Sequence, residues 1–87
     1  MASVKKMAAI IIYKKMVKDY NAFKTALENG DINGAKENLD LLIEAFGHLK
    51  NIKNLPNRER ADTVDFGEIY LDCEQILDLA TEELKNK

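Results

Sequence analysis

A chain of 87 residues, 46% hydrophobic and 32% charged, has the size and balance of one ordinary globular domain. Its single cysteine, Cys73, excludes an internal disulfide and a cysteine-based zinc site. Its longest apolar run, Met7 to Tyr13, falls far short of the roughly 20 residues that span a bilayer. That run follows Lys5 and Lys6 as in a signal peptide, but Lys14 and Lys15 come at once and no small-residue cleavage site appears. The expectation is a soluble, cytoplasmic protein with no membrane partner.

Apolar residues then recur at spacings of three and four in three successive segments, the pattern of helices that pack along a seam. The first helix is expected over about 3–29, with Ser3 as N-cap and a seam of Ala9, Tyr13, Met16, Tyr20, Phe23 and Leu27. Asn29-Gly30-Asp31 ends it, because glycine tolerates the left-handed conformation that closes a helix and Asp31 can cap the next. The second helix, about 32–54, carries Ala35, Leu39, Leu42, Phe46 and Leu49, and Leu55-Pro56 stops it. The third is expected over about 58–85, capped by Asn57, with Phe66, Tyr70, Cys73, Leu77, Ala80 and Leu84 on its seam. A later start with Thr63 as cap is the alternative. Short connections force antiparallel neighbours. The fold class is therefore all-α: an antiparallel up-down-up three-helix bundle of long, slender helices, forming a single helical-bundle domain over 1–87. Gly47 and Gly67 fall near one end of that bundle, where the expectation is close backbone approach.

The apolar surplus is larger than three narrow seams require. Ile10, Ile12 and Val17 on the first helix, Ile43 and Ile52 on the second, and Ile69 and Ile76 on the third widen the core-facing stripes. Ile11, Leu41, Leu71 and Leu79 fall off the seams. Ile11 shares its side with Lys14, Lys15 and Lys18, and is the expected residue of self-association in a homodimer.

Charge is unevenly divided. Residues 1–30 carry six lysines against Asp19 and Glu28, whereas Ala61 to Leu84 hold eight acids and no base. In a bundle whose first and third helices run in the same direction, some of those lysines can pair with the acids. The acids Asp65, Glu68, Asp72 and Glu82 recur on one side of the third helix, and these are the expected partner-binding residues for a basic protein. An acidic helix repels nucleic acid, whose binding rests on neutralised phosphates. The lysine-rich first helix lacks arginines and a helix-turn-helix break, so nucleic acid is disfavoured as a partner.

Chemistry has little to work with. His48 is the only histidine, one turn from Glu44 and able to pair with it, which gives two metal ligands at best. Histidine-containing phosphotransfer bundles place lysine and glycine at the third and fourth positions after the histidine; here Asn51 and Ile52 stand there. Cys73 on the third seam reads as a buried hydrophobe. No phosphate loop, nucleophile elbow or zincin helix occurs. No catalytic, cofactor-binding or metal-binding residue is therefore expected. The functional expectation is a small non-enzymatic protein-interaction module, a regulator, inhibitor or adaptor, using the acidic face of the third helix. The alternatives are a nucleic-acid-associated protein using the lysines of the first helix, or a self-assembling structural protein.

Overall fold

Ser3 opens the first helix, α1 (Val4–Glu28), by accepting the Lys6 amide on its Oγ at 3.2 Å. The computed structural model describes residues 3–87, so residues 1 and 2 of the expected domain lie outside it. At the other end of α1, Gly30 takes φ +74°, which lets its amide reach Leu27 O and the Asp31 amide reach Ala26 O. These two bonds form a Schellman motif, so the carbonyls left free at the helix end are satisfied inside the turn. Asp31 then caps α2 (Ile32–Lys53), its Oδ1 accepting the Gly34 amide at 2.9 Å. A side chain at Gly34 would make the exposed Asp31 carboxylate turn aside.

The third helix, α3 (Arg60–Lys85), begins two residues later than the expected start at 58. The reason is Asp62. Its Oδ2 accepts the amides of Arg58 at 2.7 Å and Glu59 at 3.1 Å, which holds Glu59 extended as the N-cap. Neither Asn57 nor Thr63 caps the helix.

All three expected seams face inward. Ala9, Met16, Phe23 and Leu27 of α1 meet Ala35, Leu42, Phe46 and Leu49 of α2 and Phe66, Cys73 and Ala80 of α3. The result is an all-α three-helix bundle with principal extents of 45 × 19 × 16 Å. The expected close approach at Gly47 and Gly67 is not there, since an added Cβ meets nothing within 4 Å at either. Ile43, expected to widen the second seam, is 52% exposed. It falls beside a seam already filled by Leu42 and Phe46. No helix among the described residues is long and apolar enough to cross a membrane.

Candidate interaction surface

Two cross-links hold α1 parallel to α3 and set their relative height. Near the start of both helices the Lys6 ammonium pairs with Asp65 at 2.9 Å. Near their ends the Tyr20 hydroxyl donates to Glu83 Oε1 at 2.7 Å. These contacts join residues 59 and 63 apart in sequence. A residue of α1 therefore lies level with the residue about 60 positions later in α3, all along the pair.

At about 100° per residue, the side of α3 that carries Asp65 and Glu83 also carries Glu68, Asp72, Ile76 and Leu79. The matching side of α1 carries Lys6, Ile10, Lys14, Val17, Asn21 and Lys24. An acidic row and a basic row thus run side by side along one face of the bundle, with aliphatic residues interleaved in both. Ile10, Val17 and Ile76 are half-buried, and Leu79 is exposed.

The four acids expected to bind a partner are not equivalent. Asp65 is half-buried and engaged by Lys6. Glu68, Asp72 and Glu82 are exposed and make no ion pair or side-chain hydrogen bond among the described residues. Glu82 faces more directly away from the core, on the same side of α3 as Val64 and the 62% exposed Leu71 but further along the helix. Ile11 is 68% exposed but lies about 180° around α1 from Tyr20, so it is not brought together with the acids of α3. It stands with exposed Val4 and Met7 instead.

A groove of about 650 Å³ opens between the C-terminal end of α2 and the first half of α3. Phe66, Gly67, Tyr70 and Leu71 line it, and Glu68 and Glu74 stand among its carboxylates. Lysines lie over its rings: Lys53 Nζ is 4.5 Å from the Tyr70 centroid and Lys5 Nζ is 4.8 Å from that of Phe66.

A buried polar cluster at the same end escaped the sequence reading. Lys5, only 8% exposed, donates to Lys53 O at 3.2 Å, Leu55 O at 3.0 Å and Asn57 Oδ1 at 2.7 Å. It thereby satisfies carbonyls at the end of α2. Ser3 Oγ donates to Asp62 Oδ1 beside it. The Ser3 hydroxyl first, then the Arg58 and Glu59 amides and the charge of Lys5, hold the Asp62 carboxyl below its ordinary range, against the opposing effect of burial. The signal was present, because Lys5 is in phase with Ala9 and Met16 on the buried side of α1.

The residues with chemical potential are otherwise quiet. His48 Nε2 stands 4.0 Å from Glu44 Oε1 on an exposed stretch of α2. Cys73 is fully buried; burial first, and then the Asp72 carboxylate, push its thiol up to about 11, so it is protonated at neutral pH. Among the described residues no group of three or more His, Cys, Asp or Glu side chains converges on a point that could hold a metal. No protein-family model, curated protein or solved structure matches this chain.

Proposed function

We propose that this chain is a small non-enzymatic protein-interaction module, a regulator, inhibitor or adaptor, which takes a basic, amphipathic segment of a protein partner on the outward side of α3. One observation carries the reading. Glu68, Asp72 and Glu82 stand exposed without a cationic partner among the described residues, in a row broken by exposed Val64, Leu71 and Leu79. Apolar contacts supply affinity at such a surface, while the carboxylates set register and speed encounter with a cationic partner. The adjoining groove has room for an anchoring side chain against Tyr70 and Leu71.

The lysines of α1 weigh in the same direction. A nucleic-acid surface would need them free, but Lys5 is buried, Lys6 is bound to Asp65 and Lys15 to Asp19 at 2.7 Å, which leaves only Lys14, Lys18 and Lys24 of α1 exposed without an ion pair among the described residues. The test is affinity capture from the host's lysate, with wild type beside a Glu68→Lys, Asp72→Lys, Glu82→Lys variant and identification by mass spectrometry. The expected result is one stoichiometric protein held by the wild type, lost by the variant, and bound again when purified. Identical captures by both would overturn the reading.

A further inference from the structure

The face shared by α1 and α3 is complementary to itself, and from this we infer that a second copy of the chain covers it in a parallel two-fold dimer. The inference rests on the reading of the α3 acids as a contact surface and names the occupant.

The charge order selects both the partner and its orientation. A two-fold axis parallel to the helices lays the α1 row of one copy over the α3 row of the other at the same height. Because residues about 60 apart are level, Lys14 then meets Asp72 of the second copy, and Val17 meets its Leu79. Each contact occurs twice. An antiparallel pairing of the same faces would set α1 on α1 and α3 on α3, lysine against lysine and carboxylate against carboxylate, which is repulsive in a shielded interface.

The apolar content fits the same arrangement. Ile10, Val17 and Ile76 are half-buried within one copy and Leu79 is exposed, so a second copy would complete their burial. The bundle is 45 Å long and 19 Å across, so one face offers on the order of 800 Å², the share each partner contributes to a standard interface. The exposed Leu71 and the groove on the α2 side of α3 stay outside the dimer, leaving each copy an open site.

The experiment is sedimentation equilibrium on wild type, Lys14→Glu, Asp72→Lys and an equimolar mixture of the two variants, with circular dichroism to show that each is folded. Wild type is expected at twice the 9.9 kDa chain mass. Each single reversal should weaken association by at least about tenfold, since it sets like charges together twice. The mixture should recover the dimer, because each variant supplies the charge that the other lacks. A second readout fixes direction: Val17→Cys mixed with Leu79→Cys should form the mixed disulfide faster than either forms a disulfide with itself. Wild type at 9.9 kDa overturns the dimer while leaving the lysate capture to judge the α3 surface separately. A dimer indifferent to both reversals, or a mixture that fails to pair, also overturns it.

Discussion

The Tyr20 hydroxyl donates to Glu83 Oε1 at 2.7 Å, fastening α1 to α3 near the end remote from Ser3 and Asp62. Burial first, then the hydrogen bond to Glu83 and its negative charge, push the Tyr20 phenol up to about 12 from 10.0. The folded state thus favours the protonated phenol. Its contribution is complete below pH 10.0 and is lost as pH rises through about 12. Tyr20→Phe should cost about 1 kcal/mol at neutral pH. The difference from wild type should shrink through that alkaline window, and the tyrosinate absorbance step near pH 12 should disappear. Thermal melts and spectrophotometric titration of both proteins check this.

Asp62 produces the opposite dependence at acid pH. Its carboxyl is held below the ordinary 3.8, so its contribution is present above that value and lost as pH falls through the lower, folded-state one. Asp62→Asn should lower the melting temperature at neutral pH, and the gap from wild type should close on acidification. Ser3→Ala should reproduce part of the effect, because the Ser3 hydroxyl is the largest cause of the depression. A gap that stays constant with pH would contradict this origin.

Lys5 ends α2 from a distance. Replacing it with alanine leaves Lys53 O, Leu55 O and Asn57 Oδ1 without this donor, for a loss of about 1–3 kcal/mol. Lys5→Met should lose less, since it keeps an unbranched apolar stem in this buried position. Urea midpoints for the two variants give the order.

Adjacent positions on α2 should behave as opposites. Leu42 is fully buried, and Leu42→Ala should cost about 2–5 kcal/mol. Ile43 is half exposed, and Ile43→Ala should fall within about 0.5 kcal/mol of wild type. On α3, Gly67→Ala should stabilise by about 0.5–1 kcal/mol, because nothing stands where its Cβ would go. Gly30→Ala should destabilise instead, because φ +74° strains any residue with a Cβ.

The fold was legible because helical seams and helix ends are written locally. Ser3, Gly30 and Asp31 act as caps through residues at most five positions away, so their spacing is enough to identify them. The start of α3 was not legible. It depends on Asp62 choosing the amides of Arg58 and Glu59, a choice reinforced by Ser3 from across 59 residues of chain. The acidic row was legible as a spacing, but not the division within it. Only packing shows that Asp65 is bound to Lys6 while Glu68 and Asp72 are not. Ile11 illustrates the same limit, since helical spacing gave its exposure but not its separation from the acids of α3.

The proposed contact between the outward acidic row of α3 and a protein partner can be located residue by residue. Amide shift mapping of the ¹⁵N-labelled chain, titrated with the purified protein that it captures, tests it most directly. The expected result is a set of perturbed amides centred on Glu68, Leu71 and Glu82, on the side of α3 that the second copy leaves open, weakening as salt is raised. Perturbations confined to the exposed side of α2 around Leu41, Glu44 and His48, with α3 unmoved, would contradict it.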